Sequence, residues 1–223
     1  MYVAEECAKH YQASRAAAWE AFKSARGSRY AGCRLANFEA RTDEMMAAWA
    51  TVQAFADNIV AEYSDGTPLL LFGPTGTGKD HLMVGVVHEL FASVRVACRS
   101  VGGYAAYRAP DVHWCNGPDL FGAIRQGIAE STEKKLIEDY ARYELLVISD
   151  PVPPAGRATD YQITTLYRIL DRRYSNNRPT WCTLNVAKRA ELEDRVGAAV
   201  AGRLTHGAEA VFCNWESYRR VRR

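Results

Sequence analysis

Gly73-Pro74-Thr75-Gly76-Thr77-Gly78-Lys79-Asp80 is the stretch on which the fold turns. It fits the pattern G-x-x-x-x-G-K, and its flanks fit as well. Leu69–Phe72 is a short apolar run of the kind found in a buried parallel strand, and Asp80–Phe91 carries a helical pattern. The glycines allow tight backbone geometry, so consecutive N–H groups can point into one anion site. The helix N-terminus behind them adds a favourable dipole for phosphate. Lys79 is placed to reach the β- and γ-phosphates of a nucleotide. The stretch therefore predicts a strand–loop–helix unit that holds ATP or ADP through Gly73, Pro74, Thr75, Gly76, Thr77, Gly78, Lys79, Asp80 and His81.

Outward from this unit the chain alternates. Glu5–Ser24 reads as a helix with Trp19 and Phe22 on its apolar side, followed by a turn-like stretch at Gly27–Gly32. Asp43–Glu62 has Met46, Trp49, Val52, Phe55, Ala56 and Ile59 at helical steps. Ser64–Pro68 breaks that pattern. Beyond the loop, Val112–Cys115, Leu145–Ile148 and Thr180–Leu184 read as strands. Pro118–Ala129, Tyr161–Tyr174 and Glu191–Arg203 read as helices, while Arg95–Val112 fits neither pattern. Such alternation predicts an α/β fold: a parallel sheet with helices on both faces, in three layers. Asp160 and Gln162 read as cap residues of their helix.

Two positions depart from the usual phosphate-loop arrangement. The residue after the lysine is normally Ser or Thr, whose hydroxyl ligates Mg²⁺. Here it is Asp80. A carboxylate about 4 Å from a phosphate, at an effective dielectric of about 20, costs about 4 kcal/mol unless a cation intervenes. The strand Leu145–Ile148 ends in Ser149-Asp150, where P-loop ATPases usually present two acidic residues. The departures suggest a reciprocal exchange. Asp80 would supply the metal carboxylate, Ser149 the hydroxyl, and Asp150 would complete the Mg²⁺ site and orient the attacking water. A degenerate, weakly hydrolysing site is the alternative.

Composition narrows the class. The chain has 223 residues, 48% hydrophobic and 24% charged, with a net charge of +2. That is a globular chain of about one domain, and not a strongly basic nucleic-acid binder as a whole. No apolar stretch is long enough to span a bilayer. Met1–His10 carries Glu5 and Glu6 and lacks an apolar core, so the cytoplasm is the expected address. The six cysteines form no CxxC pair or zinc spacing and read as reduced thiols.

Further segments carry a family resemblance. Tyr30-Ala-Gly-Cys-Arg-Leu-Ala-Asn-Phe38, the run from Pro68 to Leu82, Tyr143–Asp150, Leu166–Asn185 and Ala201–Arg220 together resemble the DnaC/IstB-like AAA+ ATPases. These include replicative-helicase loaders and transposition helper ATPases. The resemblance implies an AAA+ domain with a RecA-like sheet over residues 41–223, and a short helical extension over 1–40 that could bind a partner. It implies that Asn185 senses the γ-phosphate or attacking water, and that Arg203 serves as an arginine finger toward a neighbouring subunit. Arg219 matches a C-terminal basic position only weakly. The implied partners are single-stranded DNA, a replicative helicase or a transposase, and further copies of the chain assembled with ATP. Tyr104, Tyr107, Arg108, Trp114 and Arg125 are candidate DNA contacts, Trp114 fitting core packing as well. The stretch Val94–Asp111 is longer than the family needs. A nucleotide-sensing adaptor with little hydrolysis is the remaining expectation.

Overall fold

The computed structural model describes residues 2–101, 104–153 and 156–218. The chain opens with helix α1 (Tyr2–Arg26) and two single-turn 3₁₀ helices, Ser28–Tyr30 and Leu35–Asn37. Helices α2 (Asp43–Asp57) and α3 (Ile59–Ser64) lead to strand β1 (Leu69–Phe72), the phosphate loop and α4 (Lys79–Ser93). Strands β2 (Val96–Val101), β3 (Tyr104–Arg108) and β4 (Val112–Asn116) follow, then α5 (Gly117–Ala129), α6 (Glu133–Arg142) and β5 (Leu145–Ser149). The rest is α7 (Asp160–Ser175), β6 (Thr180–Leu184), α8 (Arg189–Val196), α9 (Ala198–Thr205) and β7 (Glu209–Phe212).

Five strands form one sheet in the order β4-β5-β6-β1-β7, and every pairing is parallel. Side chains alternate across such a sheet. Leu69, Leu71, Leu145, Val147, Trp181 and Val211 join the core on the side of α1, α2 and α4, with Phe22, Val52, Phe55, Val87 and Phe91. Leu70, Phe72, Leu146, Ile148, Cys182 and Leu184 join the core of the other side, with Leu120, Ile124, Leu166, Ile169, Leu192 and Val200. Burial on both faces explains why these strands read as unbroken apolar runs. The three-layer α/β expectation holds.

The N-terminal segment packs onto this body. Tyr11, Phe22 and Leu35 are buried. The Tyr11 hydroxyl donates to Val94 O at 3.1 Å, and Ala109 N donates to Ser14 Oγ at 3.0 Å. Trp114 is buried against Phe22, at 5.7 Å between ring centroids. It is therefore a core residue and presents no face for stacking a base.

Three expectations change in detail. The helix expected over Asp43–Glu62 is two helices, parted at Asn58, where ψ rises to 16°. The helix expected over Glu191–Arg203 is also two, parted at Gly197 with φ 80°. The unassigned stretch holds β2 and β3, an antiparallel pair outside the main sheet. Edge strand β7 escaped notice because only Val211 of its four residues is buried. The cap expectation for α7 holds for Gln162, whose Oε1 accepts from Thr159 N at 2.9 Å.

Candidate functional site

The site lies at the carboxyl ends of β1, β5 and β6, where ligands bind in open α/β sheets. Gly73 leaves β1 at φ 138°, and a Cβ there would come within 2.3 Å of Cys213 O. Only glycine fits. Its N–H donates to Leu184 O and Val186 O at 3.1 and 2.9 Å, tying the loop to the end of β6. The residues after β7 clasp the loop from the other side. Trp215 Nε1 donates to Thr77 O at 2.9 Å, and Tyr218 N donates to Gly76 O at 2.9 Å.

Lys79 is buried and folded back along the loop. Its Nζ donates to Gly73 O at 2.7 Å, Pro74 O at 2.8 Å and Asn185 Oδ1 at 3.0 Å. The loop lysine and the expected sensor are therefore in contact, although they lie on different elements. Asp150 completes the group from the end of β5. Its φ is 51°, a left-handed conformation that Asp tolerates better than most residues. Its Oδ1 is buried with no hydrogen-bond partner. Burial pushes its carboxyl above the usual range, the Asp80 charge adds to this, and Lys79 opposes both. A buried orphan acceptor on a strained backbone is a common mark of a working site.

Asp80 and Ser149 also meet. The Ser149 hydroxyl donates to Asp80 Oδ1 at 3.2 Å, and Thr183 Oγ1 donates to the same oxygen at 2.9 Å. A third partner of Asp80 comes from outside the loop and the strand ends. Arg26, the last residue of α1, pairs with Asp80 Oδ2. Both carboxylate oxygens thus face donors, one of them a full positive charge. No cluster of three His, Cys, Asp or Glu able to hold a metal exists among the described residues. With Arg26, Ser149 and Thr183 on its oxygens, Asp80 does not fit the place of a Mg²⁺ ligand, which needs free lone pairs.

A cavity of about 380 Å³ opens beside the loop. It is lined by Thr75, Gly76, Gly78, Lys79, Asp80, His81, Asp150 and Asn185, and by Arg29, Tyr30, Phe38 and Tyr218. Phe38 and Tyr218 pack edge to face at 5.9 Å and lie against Gly78. His81 serves the wall: its Nε2 contacts Arg34 O at 2.9 Å and Asn37 Oδ1 at 2.8 Å. Tyr30, Phe38, Tyr218, Arg26 and Thr183 are site residues that the loop motif could not announce. Tyr30 and Phe38 sit in a distinctive run, but nothing in the spacing of Arg26 or Thr183 marks them.

The other candidates lie elsewhere. Arg203 is in α9, bonded to Asp171 Oδ1 at 2.7 Å and Tyr167 OH at 2.9 Å. It lines a second cavity with Asp65, Pro68, Asn177 and Thr180, at the opposite end of the sheet from the phosphate loop. Arg108 is engaged by Glu144 at 2.7 and 2.9 Å, and Arg125 lies 5.3 Å from the Tyr161 ring. Arg219 and the side chain of Tyr104 lie outside the described residues.

No protein-family model matches the chain, and no curated protein does. Solved structures do. One of the DnaC helicase loader is similar with a TM-score of 0.68 and 21% identity, covering 85% of this chain and 100% of that one. A putative primosome component from Streptococcus pyogenes gives 0.62 and 20%, covering 86% and 90%. Replication initiator DnaA bound to AMPPCP and single-stranded DNA gives 0.60 and 17% over 83% of this chain. This chain spans 50% of that DnaA. With its five-stranded parallel sheet and the glycine-rich loop after β1, the chain shares the three-layer α/β fold of these DnaC, primosome-component and DnaA structures.

Proposed function

We propose that the chain is an ATP-binding accessory protein of DNA replication, of the helicase-loader kind, that hydrolyses ATP at the phosphate loop. The observation that carries this is the convergence of Lys79, Asp150 and Asn185 on one cavity at three strand ends. Loop N–H groups and the α4 N-terminus would bind the phosphates. Lys79 would exchange its loop carbonyls for phosphate oxygens. Asp150, with a raised carboxyl and an open lone pair, is suited to take a proton from an attacking water. Asn185 would hold that water or the terminal phosphate. Phe38, Tyr30 and Tyr218 offer apolar faces for the base.

Arg203 would act in trans. It lies far from its own loop, so its planar charge would complete a neighbour's site in an ATP-dependent homo-oligomer. Single-stranded DNA and a replicative helicase are the proposed partners, supported by what the DnaC and DnaA structures are described as doing. A transposase is the alternative partner. ATP hydrolysis by the purified chain, with and without single-stranded DNA, tests the reading against Lys79→Ala. DNA-stimulated turnover that Lys79→Ala abolishes is the expected result. Turnover unchanged in Lys79→Ala refutes it.

A second reading has its own support. Lys79 is already satisfied by loop carbonyls and Asp80 by its donors, as a nucleotide sensor with little turnover would require. Nucleotide binding without hydrolysis selects it.

A further inference from the structure

The cation at Asp80 comes from the N-terminal helix. Helix α1 ends at Arg26, and Gly27 turns the chain away with φ 92° and its N–H bonded to Lys23 O at 2.9 Å. The Arg26 guanidinium is held between two rings, 3.7 Å from the Tyr30 centroid and 4.6 Å from that of Trp114. From there it pairs with Asp80 Oδ2, while Thr183 and Ser149 serve Oδ1. The paired side chains are only 16% and 25% exposed. A pair so enclosed is no solvated surface contact, and removing one member strands the other's charge.

We propose that Arg26 is the resident counter-cation of the phosphate loop. It neutralises the carboxylate that stands where other P-loop sites carry a metal-ligating hydroxyl, so nucleotide binds here without metal and only while α1 is docked. This rests on the nucleotide-binding reading above.

Three features argue for it. Asp80 follows Lys79 directly, so an unpaired carboxylate would cancel the charge that draws phosphate to the loop. Arg26 restores it, and a guanidinium keeps its proton under all ordinary conditions. The hydroxyls of Ser149 and Thr183 are both engaged with Asp80. Finally, Arg26 is fixed to a long, anchored lever. Tyr11 and Ser14 tie α1 to Val94 and Ala109, so the charge is present when the helix is seated. Undocking α1 would uncover Asp80 and expel phosphate. The N-terminal helix would thereby report its own state to the nucleotide site.

The experiment is a titration of the full chain with a fluorescent ADP analogue, in Mg²⁺ and in EDTA. The proteins are wild type, Arg26→Ala, Arg26→Lys, and the double variant Arg26→Ala with Asp80→Thr. Wild type should bind alike in the two buffers, within about threefold. Arg26→Ala should lose at least about tenfold in EDTA, because an unpaired carboxylate then stands beside the phosphate site. Mg²⁺ should restore much of that loss, because Asp80 is then free to ligate it. The double variant should regain binding in EDTA. Rescue by removing the acid ties the loss to the stranded carboxylate, whereas a loss due only to missing Arg26 packing would persist in the double variant. If Arg26→Ala does not fold, Arg26→Lys carries the same comparison, with a smaller EDTA-selective loss expected.

Wild-type binding that requires Mg²⁺, with Arg26→Ala indistinguishable from it, overturns the inference and leaves nucleotide binding intact. No wild-type binding in either buffer overturns the nucleotide reading and the inference together.

Discussion

Asp150→Asn should make the folded chain more stable while ending its hydrolysis. Asp150 combines a left-handed backbone, a buried oxygen without a partner and a carboxyl raised first by burial and then by Asp80. The backbone strain, about 1–2 kcal/mol, is common to Asp and Asn and cancels in the comparison. What differs is the charge. An unpartnered buried acceptor costs roughly 1–3 kcal/mol, and an amide can turn its NH₂ toward Asp80 instead of repelling it. Weakened attraction to Lys79 returns about 1 kcal/mol. The net is a gain of about 0–2 kcal/mol, or up to about 8 °C in Tm for a chain of this length. Melts followed by circular dichroism at neutral pH read the stability. Phosphate release should fall about a hundredfold or more, with nucleotide affinity little changed. A lower Tm for Asp150→Asn would refute the reasoning, since it would mean that the carboxylate is held by favourable contacts rather than against unfavourable ones.

Other outcomes follow from named contacts. Arg173 is fully buried, and its guanidinium donates to Thr180 Oγ1 at 2.8 Å and to the carbonyls of Tyr143 at 2.7 Å and Tyr140 at 3.1 Å. Arg173→Leu should cost about 3 kcal/mol, since the stranded acceptors outweigh the relief of a buried charge. An unchanged urea midpoint would reverse that ranking. Glu144 works against burial, but Arg108 and the Asp111 N–H hold its carboxyl below the usual range. Its stabilising contribution is therefore full above the ordinary glutamate pKa and lost as pH falls through the depressed one. The Tm gap between wild type and Glu144→Gln should be at most about 1 kcal/mol in equivalent stability at neutral pH and should close in acid. Asp80→Thr with Ser149→Asp should make nucleotide binding depend on Mg²⁺, by restoring the usual hydroxyl and carboxylate positions. Equal binding in Mg²⁺ and EDTA would show that the exchange is not reciprocal.

The sheet was legible because its central strands are buried on both faces. Leu69–Phe72 and Leu145–Ile148 have nowhere polar to turn, so their sequence is apolar throughout. The edge was not: β7 buries only Val211, and β2–β3 pair with each other away from the main sheet. Helix breaks at Asn58 and Gly197 were hidden because the apolar period runs through both. In the site, the loop and Asp150 and Asn185 could be read because each follows a recognisable strand. Arg26 could not. Its place depends on where a 25-residue helix docks, which is a tertiary fact with no local signature.

The clasp of Trp215 and Tyr218 on the loop carbonyls has a practical consequence. Of the five tryptophans, Trp215 is hydrogen-bonded to the phosphate loop itself, through Thr77 O. Any rearrangement of that carbonyl changes the polarity around one indole. The chain thus carries its own optical gauge of the loop.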